Sequence, residues 1–248
     1  MRLLHGSAMS VGSPDGDENE DCYALDLDHG IAVIADGIGG RAGAAQASTA
    51  ATAAFIAAVL RADGTARRDA GTLCDAVTAA NVAVRALAEA DYLLTGSGST
   101  LTAFVADNAD DTRATIVHVG DGRVYRVRNG TVERLTTDHN IAAELVAHGH
   151  LSEVQARRHP LRARLSRAVG VDEALSPDIV DVTLAEDDWL VLVTDGVINA
   201  LLDARLDAML RAADDAERLA RRILTAVTAA PCHDDATVVV VRVPRRDD

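Results

Sequence analysis

The sequence predicts an α+β fold in which antiparallel sheets pack together and helices lie outside them. Strand-like segments come in runs that are joined by short turns, which is typical of antiparallel pairing. The longest helix-like segments are grouped at residues 41–92 and 204–229 and do not alternate with single strands. Because regular β-α-β alternation is absent, a parallel doubly wound sheet is not expected.

The first third of the chain predicts a loop, a hairpin and two helices. Residues 1–20 are polar and rich in Gly, Ser and Asp after a short opening run, and the segment GSPDGDENED, residues 12–21, is predicted to form a loop. CYALDLD and IAVIAD flank a turn at residues 28–30 and predict a hairpin. An alanine-rich stretch without proline predicts a helix over residues 41–62, and apolar residues at helical spacing predict a second helix over residues 73–92.

The rest of the chain predicts strands interrupted by one helical insert. VYRVRNGTVERL is predicted to be a hairpin with Asn129 and Gly130 as its turn, since both residues tolerate a positive φ. Residues 141–169 are rich in arginine and predict a helical insert, and residues 204–229 predict the last helix. The remaining strand candidates are TLTAFVAD, ATIVHVGD, DIVDVTL, DWLVLVTD and ATVVVVRVP.

Length and composition predict one domain over residues 1–248 and exclude several classes of protein. A net charge of −14 argues against affinity for nucleic acid or for an anionic membrane surface. The three cysteines are widely spaced and include no C-x-x-C pair, which argues against a disulfide framework or a structural zinc site. Neither a signal peptide nor an apolar run of about 18 residues is present, so we expect no membrane insertion and a cytoplasmic location.

Three apolar runs of the sequence each stop at Asp-Gly, with the acids at Asp36, Asp121 and Asp195. A single Asp-Gly is most simply explained as a hairpin turn, because Gly accepts a positive φ and Asp caps the turn. Three such ends, each after a run that is apolar on both faces, instead indicate carboxylates at the rigid ends of buried strands. Two further acidic pairs, Glu20-Asp21 and Asp234-Asp235, stand immediately before strand candidates.

If these strand ends meet in space, they form a cluster of carboxylates. Its members would be Glu20, Asp36, Asp121, Asp195 and Asp234. The carboxylates would repel one another and raise one another's pKa unless a cation were present. Oxygen ligands of this kind suit Mg²⁺ or Mn²⁺ and not zinc. A carboxylate shared between two ions about 3.5–4 Å apart makes a two-metal site that can activate water and hold a phosphoryl group.

Seven motifs together resemble those of the metal-dependent protein phosphatases, the PP2C-like (PPM) family, in its compact bacterial form. They follow the family's order and spacing over nearly the whole chain: NED (19–21), ADGIGG (35–40), GSGST (96–100), HVGDGRVYRVRNG (118–130), LTTDH (135–139), VTDG (193–196) and DDATVVV (234–240). The resemblance implies a four-layer α-β-β-α sandwich, with two antiparallel sheets face to face and helices on both outer sides. It also implies hydrolysis of phosphoserine and phosphothreonine on proteins, the products of a serine/threonine kinase. Two Mn²⁺ or Mg²⁺ ions would activate the attacking water, and no side chain would serve as nucleophile.

Carried over position by position, the resemblance assigns metal ligands to this sequence. Asp36 resembles the ligand that bridges the two ions. The carbonyl oxygen of Gly37 resembles a ligand of the first ion, with Glu20 beside it directly or through water. Asp195 and Asp234 resemble the ligands of the second ion.

The resemblance also assigns roles around this core site. Asp121 resembles the ligand of a weaker third ion shared with Asp195. Asp21 and Asp235 would act from outside the ligand shell. The insert, at about residues 139–169, resembles the mobile flap beside the site, where substrate contacts vary among family members.

The most serious departure from the family concerns an arginine that grips the substrate phosphate. The family usually places it five residues before the second acid of the first motif, and Gly16 stands there in this chain. Its loss predicts substrate binding weaker by about 1.5–3 kcal/mol, the contribution of a charge-assisted hydrogen bond. Arg41 is our hypothesis for a substitute, and the alternative is a solvated arginine in the first turn of a helix.

The general acid is a second open question. Ile38 stands where animal members have a histidine that is proposed for this role. The histidines that could replace it are His139, His159 and His233, although a surface or structural role is more common for histidines in such places. Asp235 stands where the family often has asparagine, and it could either tighten metal binding or repel phosphate. Gly122 replaces the family's usual serine beside Asp121, which could loosen the third site.

Two other functions were compared with phosphatase activity. GIGGRA, residues 37–42, fits a dinucleotide fingerprint, but Asp36 would point a charge at the pyrophosphate and no second strand ends in an acid about twenty residues on. The stronger alternative is a catalytically weak or inactive phosphoprotein-binding or regulatory module of the same fold. The missing arginine favours that module, whereas the intact set of aspartates disfavours it. A cysteine-based phosphatase is excluded, since no cysteine is followed six residues later by arginine.

Overall fold

The computed structural model describes residues 4–16, 18–38, 43–106, 112–201, 203–231 and 234–245. Within them, two antiparallel sheets pack face to face, and helices cover the outer face of each sheet. The four-layer α-β-β-α sandwich that the motifs implied is therefore confirmed.

The strands in the described residues are, in chain order, β1 (His5–Val11), β2 (Asp21–Asp26), β3 (Ile31–Ile38), β4 (Gly98–Ser99), β5 (Leu101–Ala106), β6 (Arg113–Val119), β7 (Arg123–Arg128), β8 (Thr131–Arg134), β9 (Asp178–Thr183), β10 (Trp189–Val193) and β11 (Ala236–Arg242). One sheet has the order β1-β11-β10-β7-β8. The other has the order β2-β3-β5-β6-β9, and the short β4 also pairs with β3. Both predicted hairpins are present: β2 pairs with β3, and β7 pairs with β8 across Asn129 and Gly130, whose φ values are 51° and 72°.

The α-helices are α1 (Ala44–Arg61), α2 (Ala70–Ala90), α3 (Ile141–Ala147), α4 (Glu153–Ala156), α5 (Asp195–Ala200), α6 (Asp203–Arg211) and α7 (Ala216–Thr228). Helices α1 and α2 pack on the sheet that contains β3 and β5. Helices α5, α6 and α7 pack on the sheet that contains β10 and β11. Short 3₁₀ turns lie at Gly64–Arg68, Tyr92–Leu94 and Pro160–Ala163. None of these helices combines the length and apolarity needed to cross a bilayer.

Strand β3 shows why the runs before Asp-Gly are apolar on both faces. Its Ile31 and Val33 point into the core beneath α1 and α2, whereas Ala32 and Ile34 point into the core between the two sheets. Successive side chains of a strand face opposite sides, so a strand covered on both sides needs apolar residues throughout. Asp36, at the end of this strand, is consequently held by a rigid backbone.

Three parts of the chain differ from their sequence predictions. No strand was predicted before residue 21, but His5–Val11 is a strand that pairs along its whole length with β11. The predicted helix over residues 204–229 is two helices, because Asp215 caps the start of α7 by accepting a hydrogen bond from the Arg218 amide. Helix α5, which begins at Asp195, was not predicted at all.

The flap insert is helical, as its sequence predicted. It contains α3, α4 and the 3₁₀ turn Pro160–Ala163, and a bridge between Asn140 and Leu165 closes its base. Asn140 also caps α3, since its side chain accepts a hydrogen bond from the Ala143 amide. The insert therefore leaves and rejoins the sandwich at neighbouring points.

Candidate metal centre

The topology brings the predicted acidic residues to one end of the sandwich. Asp21 opens β2 and lies opposite Asp36 in the register with β3. Asp121 lies in the turn between β6 and β7, and Asp195 follows β10 as the first residue of α5. Asp234 lies two residues before the start of β11, and its charge acts on Asp36 together with those of the other three acids.

Asp36 occupies the centre of this acidic cluster. Burial raises the pKa of its carboxyl well above the ordinary value, and the charges of Asp195, Asp21, Asp121 and Asp234 raise it further, in that order. Its backbone is fixed by Thr100, because the Asp36 amide donates to the Thr100 hydroxyl at 2.9 Å and the Thr100 amide donates to the Asp36 carbonyl at 2.8 Å. A carboxyl in this position gains from any cation that neutralises it.

Asp121 has a similar environment on the far side of the cluster. It is 9% exposed. Burial is the largest cause of its raised pKa, and the charges of Asp195 and Asp138 follow. Asp138 is itself held by the Arg123 guanidinium in a two-pronged contact of 2.8 and 3.1 Å. The loop with Asp121 is therefore adjacent to an ion pair at the base of the flap.

Asp21 lies behind the cluster and is held by two threonine hydroxyls. Thr194 and Thr237 donate to its Oδ2 at 2.8 and 2.6 Å. Its Oδ1 is buried and has no hydrogen-bond partner. Burial raises the pKa of Asp21 to about 7, although the two hydroxyls act in the opposite direction. A buried carboxylate oxygen without a partner is costly, and it is the kind of atom that a nearby cation or water would satisfy.

Asp195 and Asp234 are joined by the side-chain amide of Asn199. The Asn199 Nδ2 donates to Asp195 Oδ2 at 3.1 Å and to Asp234 Oδ2 at 3.3 Å. Burial raises the pKa of Asp195. Burial and then the Asp195 charge raise the pKa of Asp234 to about 6, although Asp234 as a whole residue is exposed.

Asp235 anchors the N-terminal loop, because both of its carboxylate oxygens accept hydrogen bonds from backbone amides of that loop. Its Oδ1 accepts from the Ser13 amide and its Oδ2 from the Glu20 amide, both at 2.6 Å. Glu20, in turn, accepts at its carbonyl from the Gly37 amide at 3.1 Å and from the Ser48 hydroxyl at 2.6 Å. Asp235 thus sets the position of Glu20, a role that the sequence could not decide. Burial and then the Asp235 charge raise the pKa of the Glu20 carboxyl.

Replacing Asp235 by alanine is expected to destabilise the protein by about 3 kcal/mol, because two half-buried amides each lose a charged acceptor worth about 1.5–3 kcal/mol. Urea unfolding in the presence of a chelator measures this change without any contribution from metal. The exposed Asp75 on α2 gives the matched control, Asp75→Ala. An Asp235→Ala change within about 0.5 kcal/mol of wild type, the usual range for surface substitutions, would contradict the anchoring role.

Two glycines of the Asp-Gly pairs are required by close backbone packing. A Cβ on Gly37 would lie 2.1 Å from the Ala44 carbonyl oxygen, and a Cβ on Gly196 would lie 1.9 Å from the Asp235 carbonyl oxygen. The absence of a side chain at Gly196 therefore lets the start of α5 pack directly against the loop that carries Asp234. At Gly122 the nearest contact would be the Thr102 hydroxyl at 3.0 Å, so a side chain there meets a tighter space than in an open loop.

Two of the histidines near the site are buried and structural in their contacts. His118 lies between the Thr102 hydroxyl at 2.9 Å and the Thr137 carbonyl at 3.0 Å, and burial lowers its pKa to about 3. His139 accepts from the Gly120 amide at 3.3 Å, and burial lowers its pKa as well. Both rings are therefore neutral near pH 7 and hold the backbone before Asp121.

The chemistry of the donor atoms fits divalent cations, although the described side chains do not converge on a single point. No group of three or more Asp, Glu, His or Cys side chains in the described ranges is arranged as a finished metal shell. The carboxyls are nevertheless close enough that hydrogen bonding to Asp36 acts to lower the pKa of Asp195, while the charge of Asp195 raises the pKa of Asp36. Repulsion among uncompensated carboxylates opposes their convergence, and a cation reverses that force. Carboxylate oxygens and the Gly37 carbonyl suit Mn²⁺ or Mg²⁺.

A cavity of about 990 Å³ opens beside the cluster, between the flap and α5 and α6. Asp121 and Asp195 are among its lining residues. Its arginines are Arg123, Arg134, Arg157, Arg158 and Arg162, and its apolar wall includes Val146, Val154, Ile198, Leu206 and Leu210. Three of these arginines are in ion pairs, since Arg157 contacts Asp203 and both Arg123 and Arg134 contact Asp138.

Two of the predicted site residues cannot be located in the structure, and three residues of the site were not predicted. Arg41 and His233 belong to parts of the chain that the structure does not describe. His159 caps the turn Pro160–Ala163 through the Leu161 amide. Sequence reasoning missed Asn199, although it stands four residues after Asp195, which on a helix is the same face. It also missed Thr194 and Thr237, which no local pattern relates to Asp21.

Comparison with known proteins agrees with this geometry. Residues 12–230 match the family model described as Protein phosphatase 2C. The serine/threonine phosphatase stp of Listeria welshimeri is 29% identical over 220 residues, which cover 85% of this chain and 83% of that protein. The crystal structure of the PPM Ser-Thr phosphatase MsPP from Mycobacterium smegmatis, in complex with cacodylate, superposes with a TM-score of 0.86 at 30% identity, covering 98% of this chain and 100% of that one. The catalytic domain of the serine threonine protein phosphatase PstP, in complex with two manganese ions, gives a TM-score of 0.82 at 27% identity, with coverage of 99% and 100%.

Proposed function

The chain belongs to the protein phosphatase 2C family, and from that premise we propose that it hydrolyses phosphoserine and phosphothreonine on proteins with two divalent metal ions. The observation that carries the proposal is the cluster of Asp36, Asp121, Asp195 and Asp234 at one end of the sandwich, with raised pKa values throughout. Charged groups arranged at such a cost to stability are typical of functional sites.

The proposed ions are Mn²⁺ or Mg²⁺, two in the core site and a weaker third. Support comes from the oxygen-only donor set and from the two manganese ions of the PstP catalytic domain. Asp36 would bridge the first two ions, with Gly37 and Glu20 at the first. Asp195 and Asp234 would hold the second.

The weaker third ion would lie between Asp121 and Asp195. The charge of Asp195 raises the pKa of the Asp121 carboxyl after burial, which places the two acids within electrostatic reach. Both acids also line the cavity beside the flap.

The chain's own residues position the reaction and supply no nucleophile from a side chain. When bound, the ions supply positive charge to the phosphoryl oxygens and lower the pKa of water. Asp21, fixed by Thr194 and Thr237, stabilises the strand ends behind Asp36. Asp235 holds Glu20 at the edge of the site. Burial lowers the pKa of both His118 and His139, so neither carries the extra proton of a cationic general acid near pH 7.

The proposed substrates are phosphorylated proteins, made by a serine/threonine kinase, that reach the site through the cavity beside the flap. The named relatives are serine/threonine phosphatases, which supports this class. Asp121 and Asp195 line this cavity, as does Arg162 of the flap turn Pro160–Ala163. Arg41 remains a hypothesis for the phosphate contact that Gly16 cannot make. We place the activity in the cytoplasm and in one domain over residues 1–248.

The alternative is a phosphoprotein-binding module of the same fold with weak turnover, which the missing arginine motivates. Hydrolysis of p-nitrophenyl phosphate and of a phosphothreonine peptide, measured side by side after chelation and again with Mn²⁺, separates the two functions. We expect no turnover after chelation and recovery of turnover on both substrates with Mn²⁺. Peptide binding without turnover at saturating Mn²⁺ would support the binding module and contradict the enzyme.

A further inference from the structure

Asn199 connects the two proposed ligands of the second ion to the flap. Its Nδ2 donates to Asp195 at 3.1 Å and to Asp234 at 3.3 Å, and its Oδ1 accepts from Arg162 Nη1 at 2.5 Å. Arg162 belongs to the 3₁₀ turn Pro160–Ala163 of the flap. One amide therefore links three segments that are far apart in sequence: the flap, helix α5 and the loop before β11.

The orientation of the amide follows from its neighbours. A guanidinium can only donate, so the oxygen of Asn199 must face Arg162. Ionised carboxylates can only accept, so the NH₂ group must face Asp195 and Asp234. Only a primary amide offers one acceptor on one side and two donors on the other, which distinguishes Asn199 from a further aspartate or a serine at this place.

The backbone around the amide is also restrained. Asn199 stands four residues after Asp195 in α5, so both side chains lie on one face of the helix. Gly196 packs against the Asp235 carbonyl oxygen, which fixes the distance between α5 and the loop with Asp234. With the backbone fixed in this way, the Asn199 amide can change position only by rotation of its side chain. The hydrogen bond from Arg162 opposes that rotation.

We propose that Asn199 is a positioning residue, which holds Asp195 and Asp234 at the separation that one divalent ion needs, and that Arg162 on the flap orients it. The inference rests on the proposed function, because it concerns the second ion of that site. It assigns this amide and this flap arginine a part in metal affinity and not in contact with the reacting atoms.

One consequence is that flap position and metal affinity are coupled. A flap placement that keeps Arg162 on Asn199 favours the second ion, and binding of that ion favours the same flap placement, because such coupling is reciprocal. The residues that would hold the first ion are Asp36, Gly37 and Glu20, whereas the hydrogen bonds of Asn199 go to Asp195, Asp234 and Arg162. The two ions should therefore respond differently to changes at Asn199.

Calorimetric titration of the full chain with Mn²⁺ tests the inference without relying on activity. Asn199→Leu keeps the approximate volume and removes the hydrogen bonds, and Asn199→Ala removes both. We expect each variant to weaken one of the two ions by about 10- to 100-fold, the usual effect of losing a group that orients metal ligands. The other ion should bind as in wild type, and melting of the metal-free variants checks that they fold.

Arg162 is tested by a double-variant cycle. Arg162→Ala should weaken the same ion by a smaller factor, and Arg162→Ala combined with Asn199→Ala should be no worse than Asn199→Ala alone. Arg158→Ala, which changes another arginine of the same cavity, should leave both affinities unchanged.

The outcomes separate this inference from the proposed function. Wild-type affinity for both ions in the Asn199 variants would overturn the positioning role while leaving the phosphatase assignment intact. Independent, multiplying losses from Arg162 and Asn199 would overturn the coupling through the amide. If the wild-type chain bound no Mn²⁺, the proposed function would be wrong, and this inference with it.

Discussion

Replacing Asp36 by asparagine is expected to reduce phosphatase turnover by more than about a hundredfold. Loss of a residue that merely orients a metal ligand costs about 10- to 100-fold, and a ligand shared by two ions should cost more. Asparagine has nearly the same shape but no charge, and it cannot bridge two cations as a carboxylate does. The turnover number on p-nitrophenyl phosphate at saturating Mn²⁺ measures the effect.

The same substitution should not unfold the metal-free protein. The charges of Asp195, Asp21, Asp121 and Asp234 all oppose ionisation of Asp36, so a neutral amide removes repulsion from a buried place. Melting in chelator should therefore occur at or above the wild-type temperature. Asp75→Asn, on the exposed face of α2, is the matched control and should keep both turnover and melting temperature. Wild-type turnover in Asp36→Asn would show that Asp36 is not a metal ligand.

Without metal, the acidic cluster should make the protein less stable as the pH rises from about 4 to about 7. The folded-state pKa values of Asp21, about 7, and Asp234, about 6, lie above their unfolded value of 3.8. In this window the folded chain binds more protons than the unfolded chain, so the free energy of unfolding falls as pH rises. The total effect of the cluster should be on the order of a few kcal/mol.

Other groups contribute to the same pH profile, so the cluster is best isolated by a difference. His118, whose pKa is lowered to about 3, adds stability as pH rises towards its unfolded value of 6.5. Asp178 and Asp187 have lowered pKa values, and their contribution is lost only as pH falls below about 3.8. Urea unfolding of wild type and Asp21→Asn, in chelator from pH 4 to 8, cancels these contributions. The variant should show the weaker loss of stability.

Manganese should remove most of this loss at pH 7. A ligand that binds only the folded state at 100 times its dissociation constant adds about 2.7 kcal/mol per site. The increase should be larger at pH 7 than at pH 5, because protons compete with the ion for the carboxylates. An equal increase at both pH values, or none at either, would mean that the ion does not bind at these acids.

The sequence predicted local structure and the acidic ends well, for identifiable physical reasons. The β2–β3 and β7–β8 hairpins depend on turn residues that stand next to one another, and Asn129 and Gly130 do adopt positive φ. The acids at Asp36, Asp121 and Asp195 follow strands buried on both faces, and a fully apolar run is visible in sequence alone. The resemblance of the motifs supplied the sandwich that joins these ends.

What the sequence could not predict depends on contacts between distant residues. Strand β1 reads HGSAMSV, which has little strand character of its own, and it exists through pairing with β11 more than two hundred residues later. Helix α5 is short and contains Gly196, so local propensity argued against it. The side chain of Asp235 accepts from the amides of Ser13 and Glu20, which are more than two hundred residues away, and no local pattern indicates those contacts. The capping Asp215 was a local signal that could have divided the last helix.

The account depends most on distant carboxylates sharing a pair of cations, and anomalous diffraction from a crystal soaked in Mn²⁺ tests this directly. We expect two strong manganese peaks about 3.5–4 Å apart, with an oxygen of Asp36 between them and with Asp195 and Asp234 at the second. No peak at this end of the sandwich, or peaks that Asp36 does not touch, would contradict the account.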